Sequence, residues 1–131
     1  MKKKLTNVSE ERAQEILEKF RWENWDKDFP ASISSDFGNA TLIVDDDDRI
    51  LGVNLRSWLY DGFNEQLLRV RFVRSGRAAG KSIQTSGRGD RGESLADKFS
   101  ITPDEFFEIL AGIEQEERTP VGIIDVLREC A

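Results

Sequence analysis

Between residues 69 and 91 the chain carries Arg69, Arg71, Arg74, Arg77, Lys81, Arg88 and Arg91, opposed only by Asp90. Guanidinium groups pair bidentately with carboxylates and phosphates, so this stretch reads as an anion-binding element. It is locally +6 in a chain whose net charge is −6, which leaves −12 on the remainder. A basic arm on an acidic body favours steering and docking of charged partners, and by itself says nothing about a reaction.

Other residues are weaker candidates for chemistry. The stretch GRAAGKS, from Gly76 to Ser82, approaches the phosphate-cradling pattern GxxxxGK[ST]. It is one residue short, and the IQTSG that follows is a poor opening for the helix such a loop must feed. Asp45, Asp46, Asp47 and Asp48 offer oxygen ligands to a hard cation. An EF-hand loop starting at Asp45 would need glycine sixth and glutamate twelfth, where Ile50 and Arg56 stand. A solvated turn is the better reading, and neither a metal nor a cofactor is expected. The chain has no histidine, the usual acid–base group near neutrality. Cys130 sits next to the last residue, where a base and oxyanion donors are hard to assemble around it. A non-enzymatic protein is expected.

These groups need elements to position them. Ala13, Ile16, Leu17 and Phe20 recur at steps of three and four, predicting a first helix with Ser9 as its N-cap. Trp22 to Pro30 breaks that period, and Trp22, Trp25 and Phe29 are expected to fold back on the core. The period then becomes two. Leu42 and Val44, Leu51 to Leu55, and Leu68 to Phe72 predict three strands, with Asp45–Asp48 at the first turn and Asp61-Gly62 at the second. In that register Arg56, Arg69 and Arg71 share the outward face.

Residues 74 to 94 hold five of the ten glycines and one large apolar side chain, Ile83. A mobile basic loop is expected there, with a short strand near Ser82 to Thr85 as the alternative. Thr102-Pro103-Asp104-Glu105 combines an N-cap, a proline at the first helical position and a capping-box glutamate, so a helix starts there. Phe106, Ile109, Leu110 and Ile113 supply its apolar stripe. Pro120 is read as ending that segment, and Val121 to Leu127 as a strand or, preferably, a short helix.

The fold expected is α+β: an N-terminal helix, a three- or four-stranded antiparallel meander, and one or more C-terminal helices packed on one face. Residues 1–131 are the size of one domain, and 38% hydrophobic residues suffice for one core. The lone cysteine calls for no oxidising compartment, so a cytoplasmic location is expected. Lys2 to Lys4 are followed by polar residues rather than the apolar run of a signal peptide, and no stretch is apolar enough to span a membrane.

The amphipathic first helix, the meander through TLIVDDDDRILGVNL and LLRVRFV, the glycine-rich connection and the closing TPDEFFEILAGIEQEERTP together resemble small immunity proteins of bacterial toxin–immunity systems. The resemblance spans about residues 40 to 121. It implies a soluble, stoichiometric inhibitor that occludes a cognate toxin. Acidic inhibitors of basic enzymes place carboxylates where the substrate's phosphates would lie. Asp45, Asp46, Asp47, Asp48, Asp61 and Glu65 are the candidate acidic contacts, and Arg56, Arg69 and Arg71 would meet acidic surface on the same protein partner. The alternative is a nucleic-acid-binding module using Arg69, Arg71, Arg74, Arg77, Lys81, Arg88 and Arg91 as a phosphate clamp. A third reading is intramolecular, with the basic edge neutralised by the protein's own acidic helices.

Overall fold

The structure is a computed structural model, and it describes residues 8–20, 40–58, 65–89, 91–114 and 117–130. Its elements run α1 (Glu10–Glu18), β1 (Ala40–Val44), β2 (Ile50–Trp58), β3 (Glu65–Phe72), β4 (Ile83–Arg88), β5 (Asp97–Phe99), α2 (Pro103–Gly112) and α3 (Pro120–Cys130). The five strands form one antiparallel sheet in chain order, a plain meander. The α+β architecture is the one the sequence predicts, with five strands in place of three or four.

The extra strands arise in and after the stretch expected to be a loop. Residues 83–88 pair with β3 on one side and β5 on the other, so the segment over 74–94 is two turns flanking a central strand. Of β4's inward positions only Ile83 is strongly apolar, which hides the strand from a periodicity argument. Thr85 fills the next one and donates its hydroxyl to the Leu95 carbonyl at 2.7 Å, so its polar group is satisfied inside.

The alternation of apolar side chains along each strand builds a single buried face. Val53 and Leu55 of β2, Leu68, Val70 and Phe72 of β3, and Ile83 of β4 all point to it. α1 contributes Ala13, Ile16, Leu17 and Phe20, the four residues its stripe predicts, and α2 contributes Phe106, Phe107 and Leu110. Phe72, Phe106 and Phe107 meet edge to face, with ring centroids 5.5–6.2 Å apart. Trp22, Trp25 and Phe29 lie outside the described residues.

The helix starts follow their caps. Ser9 Oγ accepts from Arg12 N at 3.1 Å. Thr102 Oγ1 accepts from Glu105 N, and Glu105 Oε1 accepts from Thr102 N, the reciprocal box that its sequence predicts. Pro120 does not end a segment. It is the first residue of α3, and Thr119 Oγ1 accepts from Gly122 N at 3.0 Å, so Thr119-Pro120 repeats the opening of Thr102-Pro103.

Three contacts tie the distant chain ends together. Val8 N donates to Asp104 Oδ1 at 3.1 Å, Lys19 Nζ to the Ala111 carbonyl at 3.2 Å, and Arg118 Nη1 to the Lys19 carbonyl at 3.2 Å. Buried Gln66 joins sheet to helix, its Oε1 accepting from Val121 N at the start of α3. No helix among the described residues is long and apolar enough to cross a membrane.

Candidate functional site

With helices on one face of the sheet, the outward residues of each strand face away from the core, and no described element packs on them. Strand pairing fixes which side chains meet there. Thr41 lies opposite Asn54, Asn54 opposite Arg69, and Arg69 opposite Ser86. One row along, Gly52 faces Arg71, Arg71 faces Gln84, and Gln84 faces Lys98. The third row places Arg56 beside Leu67 and Leu67 beside Arg88. Arg56, Arg69 and Arg71 are therefore neighbours on one exposed face, as the alternation predicts, joined by Arg88 and Lys98.

Register continues the third row's alternation to Trp58 opposite Glu65 at the end of β2 and β3, and the other described side chains on this face include no carboxylate. Arg69, Arg71, Arg88 and Lys98 make no ion pair among the described residues, and Arg56 has an interaction of its own. The ion pairs that the described residues do make lie elsewhere, as in Arg12–Glu15 on α1 and Arg128–Asp97 between α3 and β5. The helix layer is the opposite in sign: a groove along α1 is lined by Glu10, Glu11, Glu15 and Glu18 with Ser9 and Gln14. Positive and negative charge thus occupy opposite sides of the two layers.

The basic stretch is one hairpin seen end to end. Arg69 and Arg71 lie on β3 and Arg88 on β4, while exposed Arg74, Arg77 and Lys81 sit in the turn between them and Arg91 in the turn after β4. The Gly76–Ser82 stretch closes that hairpin: Val73 N donates to the Ser82 carbonyl and Gly80 N to the Val73 carbonyl, with Gly76 and Gly80 at φ 81° and 73°. A strand follows it, so the helix a phosphate-cradling loop must feed is not there.

Asp45–Asp48 forms the β1–β2 turn, as expected, but its first carboxylate is committed to that turn. Asp45 Oδ1 accepts from Asp47 N at 2.9 Å and Arg49 N at 3.0 Å, and Oδ2 accepts from Arg49 Nε at 2.8 Å. The Arg49 N–H above all, then the Asp47 N–H and the Arg49 side chain, hold the Asp45 pKa below its ordinary value despite some desolvation. A lowered carboxylate pKa adds stability that is present above the unfolded value and lost as pH falls through the folded one. Asp45→Asn is therefore expected to lower the urea midpoint at pH 7, and the gap from the parent protein should narrow below about pH 4. A gap that stays constant down to pH 2 would show that the charge of Asp45 is not what holds the turn.

The proposed acidic contacts do not form one patch. Asp46, Asp47 and Asp48 are exposed at the end of the sheet that also carries Arg74, Arg77 and Lys81. Glu65 opens β3 at the other end, roughly 20–25 Å away along the strands at about 3.3 Å per residue. Asp61 and the Asp61-Gly62 turn lie outside the described residues.

Two hollows indent the basic face. One of about 340 Å³ is lined by Arg71, Phe72, Val73, Arg74, Ser75 and Gln84. The other, about 220 Å³, is lined by Thr41, Asn54, Arg56, Leu67 and Arg69. Asn54 Oδ1 is buried there without a hydrogen-bond partner. An orphaned buried carbonyl costs about 1–3 kcal/mol, so its retention in a strand asks for a reason. Asn54 and Lys98 were not legible as site residues from sequence, because only pairing across strands brings them to the arginines. No group of acids and cysteines among the described residues could hold a metal ion. Comparisons with protein-family models, curated proteins and solved structures returned no match.

Proposed function

We propose that this protein is a non-catalytic binding protein that engages a protein partner through the basic open face of its sheet, as an immunity-type inhibitor would engage a toxin. One observation supports the reading: a sheet face on which no described element packs, bearing exposed Arg56, Arg69, Arg71, Arg88 and Lys98 and backed by an acidic helix layer. Such polarity orients an approaching partner and raises the rate of productive encounter. The described residues of the face form indentations but no convergent set of reactive groups, which favours occlusion over turnover.

The contacts assigned to the partner differ in weight. Arg69 and Arg71 are central, Arg56 borders them, and Asp46, Asp47 and Asp48 reach the rim. Nucleic acid is the competing occupant of the same cations. It is disfavoured because the Asp45–Asp48 turn would meet a phosphate backbone with like charge.

The test is capture from the native host's lysate on immobilised protein, before and after nuclease treatment, with Arg69→Glu/Arg71→Glu beside the parent protein. A stoichiometric protein partner resistant to nuclease is expected, with an association rate falling by about 10–1,000-fold in the double variant. Capture that vanishes with nuclease, or a partner that binds the double variant unchanged, overturns the proposal.

A further inference from the structure

The hollow of about 340 Å³ at the end of the sheet where β3 turns into β4 has polar side chains from Arg71, Arg74, Ser75 and Gln84, and every one of them can donate a hydrogen bond. Phe72 and Val73 complete the lining, so no carboxylate belongs to it. Neither arginine makes an ion pair among the described residues. Strand pairing sets Arg71 opposite Gln84 and Gln84 opposite Lys98, which brings a third cation into the same row. The turn that places Arg74 and Ser75 is held at its base, where Val73 N donates to the Ser82 carbonyl at 3.1 Å and Gly80 N to the Val73 carbonyl at 2.8 Å. The turn's backbone hydrogen bonds use neither the Arg74 nor the Ser75 N–H.

A hollow of donors calls for a ligand rich in acceptors. A carboxylate brings a single negative charge and two oxygens, which one guanidinium satisfies with two parallel bonds. A phosphomonoester brings a charge of about −1.5 to −2 and three strong acceptor oxygens, more than one arginine serves. Two guanidiniums with a hydroxyl and an amide beside them match the second group. A phosphodiester is singly charged and continues in both directions, so a strand laid across this end of the sheet would also meet exposed Asp46, Asp47 and Asp48. A terminal group needs only the hollow. We propose that the Arg71–Arg74–Gln84 hollow seats a phosphomonoester group, with both guanidiniums on its oxygens and Ser75 and Gln84 as neutral donors. The seat does not depend on the protein-partner reading, because a small molecule or a phosphorylated side chain carries the same group.

The probes are glycerol 3-phosphate, a capped peptide with one phosphoserine among glycines, the same peptide with glutamate in its place, and a uridylate oligonucleotide with hydroxyl ends. Each is titrated into isotopically labelled protein and followed by nuclear magnetic resonance. Both phosphomonoesters are expected to shift the Arg71 and Arg74 Nε–H and the Gln84 side-chain amide saturably, with the glutamate peptide weaker by about tenfold or more. Arg71→Gln and Arg74→Gln should each weaken the phosphoserine peptide by about tenfold or more, while Arg12→Gln, which removes the same charge from α1, should leave it unaltered. A phosphoserine peptide that binds more tightly than glycerol 3-phosphate supports the seat with a protein side chain as carrier; equal affinities support it with a small molecule as carrier. No saturable shift at millimolar phosphomonoester, a glutamate peptide that matches the phosphoserine peptide, undiminished affinity in both arginine variants, or an oligonucleotide that binds more tightly than either phosphomonoester would each overturn the proposal. Such a failure leaves the protein-binding reading standing if Arg69→Glu/Arg71→Glu still slows partner capture.

Discussion

Replacing Phe106 with alanine is expected to destabilise the protein by about 3–5 kcal/mol, measured from urea unfolding. Its side chain is fully buried and touches two other rings, with Phe72 6.2 Å and Phe107 5.5 Å away between centroids. Truncation removes the transfer energy of the ring and leaves a void where sheet meets α2. Neither neighbour can close it freely: Phe72 is fixed by its strand and Phe107 by the capped first turn of the same helix. A loss of that size is a large part of the roughly 5–15 kcal/mol that holds a typical domain together. Phe107→Leu is the companion measurement. Retaining most of the volume, it should lose distinctly less than Phe106→Ala. A loss below about 1 kcal/mol for Phe106→Ala would mean that the ring cluster is not the centre of the fold.

The second large effect is expected at Gly87. It lies in β4 at φ 132°, a conformation that side chains other than glycine rarely adopt, and a Cβ there would collide with the Leu67 carbonyl oxygen of β3. The φ alone makes Gly87→Ala unfavourable by about 1–3 kcal/mol, and relieving the collision means separating the β3–β4 backbones. Amide exchange should accelerate first along residues 67–72 and 83–88, ahead of the helices. Gly112→Ala is the matched control, since a Cβ at that position meets nothing within 4 Å. Equal stability of the two variants would show that the β3–β4 pairing tolerates an extra atom. Because Arg69, Arg71 and Arg88 hang from those two strands, Gly87→Ala should also disorganise the basic face, whereas Gly112→Ala should leave it unaltered.

What sequence reasoning reached, and where it stopped, follows from the range of the forces involved. Local signals were sufficient for α1 and α2, where Ser9 and the Thr102–Glu105 box satisfy backbone donors within a few residues and the apolar stripes repeat at the helical period. They were sufficient for the first three strands, and hence for placing Arg56, Arg69 and Arg71 on one face. β4 escaped because its inward positions are Ile83, Thr85 and Gly87, so burial depends on neighbours supplied by the sheet rather than on its own hydrophobicity. Pro120 was misread although the chain held the needed comparison: Thr119-Pro120 repeats Thr102-Pro103, and the same missing N–H that stops one helix suits the first position of the next. Asn54 illustrates the harder limit. Its significance lies in an unmet hydrogen bond between Thr41 and Arg69, residues 13 and 15 positions away, and nothing within its own strand announces it.

The topology has a consequence during synthesis. Each strand pairs with the one made just before it, so the meander can zip up hairpin by hairpin as it leaves the ribosome. α1 can meet β1 early, but the ties from its flanking residues Val8 and Lys19 to Asp104, Ala111 and Arg118 span 92 to 99 residues. Until the last third of the chain is translated, Ile16, Leu17 and Phe20 lack the α2 surface on which they come to rest, and the nascent chain carries a sticky leading helix, a natural client for a chaperone.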